Sequence, residues 1–184
     1  MFIKKIEIPK EVEVDIEYLG KLDGYQVRVK GPKGVLVRKF NFPYVKIEKQ
    51  NNYVIISSEK EKRKYKAIVG TYKAHIQNMF RGVLEGFTYR LKIFYRHFPI
   101  QVKLEGDKFY IINFLGEKAP RIVEIPEGVE VRIKGDEIEV FSIDIEKAGR
   151  TAASIETATR IKRLDKRKFI DGIYIIEKPT SRFV

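Results

Sequence analysis

Residues 45–58 read Val45-Lys46-Ile47-Glu48-Lys49-Gln50-Asn51-Asn52-Tyr53-Val54-Ile55-Ile56-Ser57-Ser58. Val45 and Ile47 alternate with Lys46 and Glu48, and Val54, Ile56 and Ser58 share one face across the polar break Gln50-Asn51-Asn52. A period of two buries one face and wets the other, so the stretch reads as a β-hairpin. At a spacing of 84, Val129-Glu130-Val131-Arg132 repeats the first arm, and Ile138, Val140 and Ser142 repeat Val54, Ile56 and Ser58. A pattern recurring at fixed distance, with the same order of elements around it, marks one unit written twice.

Working outward, Val12, Val14 and Ile16 alternate with Glu13, Asp15 and Glu17. Tyr25 to Lys30 and Val35 to Phe40 form a second hairpin about the turn Gly31-Pro32-Lys33-Gly34. Beyond the first copy, Tyr65, Val69, Tyr72, Ile76, Met79 and Val83 recur at steps of three and four, the stripe of an amphipathic helix that Gly82 and Gly86 close. Strands follow at 88–95, 101–105, 109–114 and 121–125. After the second copy, a helix capped by Ser142 or Asp144 carries Ile145, Ala148, Ala152, Ile155 and Thr159. Strands then one helix, in each half, predict the α+β class: two tandem duplicated domains, each an antiparallel sheet with one helix packed on it. The boundaries fall at 1–84 and 85–184.

The chain has 184 residues and a formal net charge of +12, with no cysteine or tryptophan and two histidines, His75 and His97. Zero cysteine excludes a disulfide framework, a thiolate zinc site and a cysteine nucleophile. Two histidines leave no basis for a histidine-built metal centre. The N-terminal stretch lacks an apolar signal-peptide core, and no run suits a spanning helix, so a soluble intracellular protein with no membrane partner is expected. The charge is uneven. Residues 60–103 hold 11 basic and 2 acidic groups, residues 104–159 hold 7 and 12, and residues 160–184 hold 8 and 3. Such segregation suits a face that binds a polyanion, nucleic acid first.

Residues 160–174 form a basic and aromatic segment in which Arg160, Lys162, Arg163, Lys166, Arg167 and Lys168 can neutralise phosphates. Phe169 and Tyr174 stack on bases or equally anchor the tail; the alternative for the segment is a solvated helix end and final strand. A chain ending before Arg160 is expected to lose RNA affinity and stay folded, since these charges lie outside the second helix's stripe. His97 lacks a carboxylate–serine pattern and reads as a loop histidine bonded to backbone or RNA. Asp165 and Asp171, set among cations, read as ion pairs that order the tail rather than as a magnesium site. Lys60, Lys62, Arg63, Lys64 and Lys66 crowd the first helix's start and oppose its dipole, which suggests another use for them. Neither Gly31-Pro32-Lys33-Gly34 nor Gly116-Glu117-Lys118 has the spacing of a phosphate-binding loop, and no paired acid and base appears. No enzyme activity, cofactor or metal is expected.

The segment Asp165-Lys166-Arg167-Lys168-Phe169-Ile170-Asp171-Gly172-Ile173-Tyr174 resembles the closing signature of the large-subunit ribosomal protein L6 family, in its archaeal and eukaryotic form. Ala74 to Met79 with Gly82-Val83 and Gly86-Phe87 looks like the family's first helix. His97-Phe98-Pro99-Ile100 and Asn113 to Lys118 look like its second-domain loops. The resemblance implies a structural, non-enzymatic protein of the large ribosomal subunit, in the cytoplasm. It implies binding to large-subunit rRNA through the second domain and tail, near the sarcin–ricin loop and stalk base. Neighbouring ribosomal proteins would adjoin it there, with translational GTPases docking nearby. By position, Arg160, Lys162, Arg163, Lys166, Arg167, Lys168, Tyr174 and Lys178 are the first RNA-contact candidates, followed by His97 and Lys118. The alternative is a nucleic-acid-binding module acting outside the ribosome.

Overall fold

A computed structural model describes residues 2–20, 22–60, 62–162, 165 and 168–179. Contacts divide the chain into two units, Met1–Gly86 and Phe87–Val184. The first contains β1 (Phe2–Glu7), β2 (Glu13–Gly20), β3 (Gly24–Gly31), β4 (Gly34–Phe40), β5 (Val45–Gln50), β6 (Tyr53–Ser58) and α1 (Arg63–Leu84). The second contains β7 (Phe87–Phe94), β8 (Gln101–Glu105), β9 (Lys108–Ile112), a 3-10 turn (Phe114–Gly116), β10 (Arg121–Glu124), β11 (Val129–Lys134), β12 (Glu137–Ser142), α2 (Ile145–Ala158) and β13 (Gly172–Glu177). All strand pairs are antiparallel. The α+β class and the duplicated plan are as expected. The finer division is that each unit shares its strands between two sheets, β1-β6-β5 with β2-β3-β4, and β11-β12-β7-β13 with β10-β9-β8.

The repeat extends to hydrogen-bond register. Val45 pairs with Ser58 and Ile47 with Ile56; 84 residues on, Val129 pairs with Ser142 and Val131 with Val140. A one-residue slip would turn each buried face to water, so equal alternation enforces equal register. The two serines do the same work. Ser58 Oγ accepts the N–H of Lys60 at 3.3 Å, and Ser142 Oγ accepts that of Asp144 at 3.2 Å. Each buried hydroxyl thereby turns the chain from strand toward helix. Asp144 is the cap of α2, its carboxylate accepting from Glu146 N–H at 2.8 Å. At α1 the cap residue is Lys62, with no side-chain cap bond and no acid in the first turn.

In the first unit, Val14, Val27, Ile47, Val54 and Ile56 on the strands meet Val69, Ile76, Phe80 and Val83 of α1. Fully burying one such side chain is worth about 1.5–3 kcal/mol. The C-terminal end of α1 comes so close to the β3–β4 turn that only glycine fits at Gly31. A Cβ there would lie 2.7 Å from Val83 Cγ2 and 2.9 Å from Val83 Cβ, beside the bond from Lys33 N–H to Val83 O. Gly31→Ala is therefore expected to destabilise the first unit by about 1–3 kcal/mol, read by denaturant unfolding.

In the second unit, Leu91, Phe109, Ile111, Ile138 and Val140 meet Ala152 and Ile155 of α2, and Ile161 and Ile173 join the same core. This argues against the expectation that a chain ending before Arg160 stays folded. The segment beyond α2 returns as β13, pairing Ile173 with Ile93 and Tyr174 with Lys92 of β7. Its other edge is bonded to α2: Ile173 N–H donates to Thr159 Oγ1 and Ile175 N–H to Glu156 Oε1, both at 2.9 Å. The tail is structural as well as basic.

Candidate nucleic-acid interface

Three segments of the second unit meet beside one buried carboxylate, which two of them share. They are the loop after β7, the turn after β9 and the chain between α2 and β13. Asp171 is fully buried. Its Oδ2 accepts the backbone N–H of His97 at 3.1 Å and of Phe98 at 3.3 Å, and its Oδ1 lies 3.1 Å from His97 Nδ1. Burial pushes the Asp171 carboxyl up, but hydrogen bonds from the His97 ring and from the backbone of His97, Phe98 and Arg96 outweigh it and hold it below the usual carboxylate range. An ionised carboxylate only accepts, so His97 Nδ1 carries the proton. Asp171 thus pairs with a loop 74 residues away.

The other contacts continue the cluster. Phe169 packs on the unit's core and lies 4.7 Å from the His97 ring, so it anchors the tail. Asn113 Nδ2 donates to Pro99 O at 3.1 Å, and a Cβ on Gly116 would stand 3.2 Å from the Phe98 ring. Two non-glycine residues of this turn, Asn113 (φ 59°) and Leu115 (φ 52°), are left-handed. Backbone strain of that kind, of order 1–3 kcal/mol each, gathers at binding and active sites. Arg121 stacks over Phe114 at 4.3 Å, grips Glu117, and donates to Ala158 O at the end of α2.

His97 lies on the loop after β7, Lys118 just beyond the turn after β9, and Arg160, Lys162 and Lys168 on the chain between α2 and β13, all exposed. Arg160 and Tyr174 line one cleft of about 340 Å³. Burial, and then the charges of Asp171 and Glu156, push the Tyr174 phenol up, so it stays a neutral donor and acceptor. Its ring meets Phe94 edge-on at 5.9 Å. Lys178 follows the far end of β13, on the order of 20 Å of strand from Asp171, and is not brought into the cluster. Arg163, Lys166 and Arg167 lie outside the described residues.

The acidic character of the second unit does not oppose this face. Asp171 is enclosed, Glu156 accepts from β13, and Glu117 is held by Arg121, whose hydrogen bond lowers its carboxyl. Three carboxylates are committed to the fold while the cations around them point to water. Sequence reasoning missed Asp171, Asn113 and Arg121 as the residues that position the face. A cation-flanked aspartate was the one visible signal. Among the described residues, no helix is long and apolar enough to cross a membrane.

Comparison with known proteins adds a second line. The family model described as Ribosomal protein L6 matches residues 8–86 and 98–172, one segment in each unit. The large ribosomal subunit protein uL6 of Aeropyrum pernix is 49% identical over 177 residues, covering 96% of this chain and 94% of that protein. The namesake from Methanothrix thermoacetophila is 45% identical over 176 residues, covering 96% and 97%. That from Archaeoglobus fulgidus is 46% identical over 174 residues, covering 95% and 88%.

Proposed function

Because the chain belongs to the ribosomal protein L6 family, and is on that ground a structural, non-enzymatic constituent of the large ribosomal subunit, we propose that it grips large-subunit rRNA through the loop-and-tail cluster of its second unit. The observation that carries this reading is the Asp171 clasp. It fixes the loop after β7 to the tail, and Asn113 ties the turn after β9 to the same loop, so that His97, Lys118, Arg160, Lys162 and Lys168 would present one preset surface. Cations would neutralise phosphates, and this sets affinity. His97 Nε2 would hydrogen-bond a ribose 2′-hydroxyl or a base edge, and Tyr174 would offer a ring and a phenol. Arg163, Lys166, Arg167 and Lys178 complete the proposed contact set.

The finer placement, near the sarcin–ricin loop and stalk base with translational GTPases docking beside it, is supported by the tail signature that this family shares. The protein would then stiffen rRNA where factors bind, in the cytoplasm, beside other ribosomal proteins. The test is sedimentation of the tagged full chain with assembled ribosomes, followed by RNA crosslinking on the purified large subunit. Expected are retention on the large subunit through a moderate-salt wash and crosslinks at the sarcin–ricin loop. Protein left mostly at the top of the gradient would instead indicate a module acting outside the ribosome.

A further inference from the structure

The first unit carries its own concentration of positive charge, which the loop-and-tail cluster does not use. Lys60, Lys62, Arg63, Lys64 and Lys66 fall within seven residues and are all exposed. The 22 residues of α1 that begin among them contain no acid. Among the described residues, the ion pairs of this unit include Lys30–Glu13, Lys46–Glu59 and Arg81–Glu85. Three of the five clustered cations lie over rings: Lys60 Nζ is 3.5 Å from the centroid of Tyr44, Lys64 Nζ 5.2 Å from Phe42, and Lys66 Nζ 5.6 Å from Phe2.

Tyr44 and Phe42 belong to an open cleft of about 410 Å³, whose other walls include Tyr18 and Tyr25, with Asn41 and Lys46 among its polar lining. The volume is that of a small-ligand site. Tyr44 is left-handed, with φ 66°. For a bulky residue that conformation costs roughly 1–2 kcal/mol. Burial does not repay it, because Tyr44 is 53% exposed, as is Tyr18 at 57%. The ring is instead held at the cleft's rim, against Lys60 and edge-on to Tyr65 at 6.0 Å.

We propose that this cleft and the adjoining cations form a second RNA site, taking one unpaired nucleotide of a single strand with its base among the tyrosines and its flanking phosphates on Lys60, Lys62, Arg63 and Lys64. Aromatic walls accept any base because every base has a π face, and a basic rim follows the backbone. An acidic protein segment would satisfy the cations but leave the ring-lined cleft unfilled, which is why RNA is favoured. The site lies in the other unit from the loop-and-tail cluster, so the two stand or fall separately.

The experiment measures binding of the full chain to a short single-stranded oligouridine carrying 4-thiouridine, by fluorescence anisotropy and by mapping photo-crosslinks. Tyr44→Gly removes the ring and suits the left-handed backbone, so the fold is kept; thermal unfolding checks this. Expected are crosslinks at the cleft tyrosines, a loss of roughly tenfold in affinity in Tyr44→Gly, and near-normal binding in Tyr44→Phe, which keeps the ring. Replacing Arg160, Lys162 and Lys168 by alanine should leave the cleft crosslinks in place. Equal affinity of wild type and Tyr44→Gly would overturn the proposal, as would crosslinks confined to the second unit. Displacement of the RNA from the cleft by polyglutamate at matched charge would overturn it too, in favour of an acidic protein partner.

Discussion

A chain ending at Thr159 is expected to lose the cooperative unfolding of residues 87–184 while residues 1–86 still unfold as a unit. Truncation removes β13 from β7, withdraws the buried Ile161 and Ile173, and strips Asp171 from the loop after β7. Burial of the two isoleucines alone contributes about 3–6 kcal/mol. A domain of this size has only about 5–15 kcal/mol in total. The measurement is thermal unfolding of both chains with residue-resolved hydrogen exchange. Native-like protection of β7 in the shortened chain would refute the structural role of the tail.

A single substitution tests the same clasp. Asp171→Ala takes the acceptor from the part-buried bonds of the His97 and Phe98 backbone N–H groups, at a cost of roughly 1–3 kcal/mol. Its pH dependence follows from the lowered carboxyl. The unfolded chain takes up the proton first, because its aspartate has the higher value, about 3.9. The clasp's contribution is therefore full above that value. It is lost as pH falls through the folded one. Acid titration of wild type and Asp171→Ala should show curves that converge at low pH. Curves that stay parallel would mean the carboxylate is not what joins loop to tail.

The second large effect concerns RNA. Replacing Arg160, Lys162 and Lys168 together by alanine should weaken binding to a large-subunit rRNA fragment by one to two orders of magnitude at moderate salt. It should also lower the slope of log affinity against log salt by roughly three, about one per lost phosphate contact. All three side chains are exposed, so stability should change little. A control that removes two cations is Arg132→Ala with Lys134→Ala, whose exposed side chains pair with Glu130 and Glu139 of β11 and β12. Equal slope changes per charge removed in the triple variant and the control would show that net charge, and not this face, holds the RNA.

The hairpins, both helices and the duplication were legible because each depends on local period: two for strands, three and four for helices. Ser58 and Ser142 even carried the strand-to-helix turn at the repeat distance. The role of Gly172 to Glu177 was less legible. Alternation marks a strand but does not name its partner, and β7 lies some 80 residues earlier. Asp171 misled for a related reason. Six cations stand close to it in sequence, while its partners among the described residues include a ring and main-chain N–H groups, and main-chain donors leave no trace in composition. The strained turn at Tyr44 follows a proline and has no glycine or asparagine to announce it.

The clasp also sets an order of events during synthesis. His97 leaves the translating ribosome 74 residues ahead of Asp171. At about 5–20 residues per second, that interval is roughly 4–15 s. Throughout it the loop after β7 lacks its acceptor, β7 keeps an open edge, and the cations that later share one face are not yet gathered. The first unit has no such debt, since its last element, α1, is complete by Leu84. The nascent chain is thus folded at its front and unfinished behind. Only a chain read through Asp171 can offer the assembled face to RNA, so aborted products stopping short of it would fail to compete for a place in the subunit.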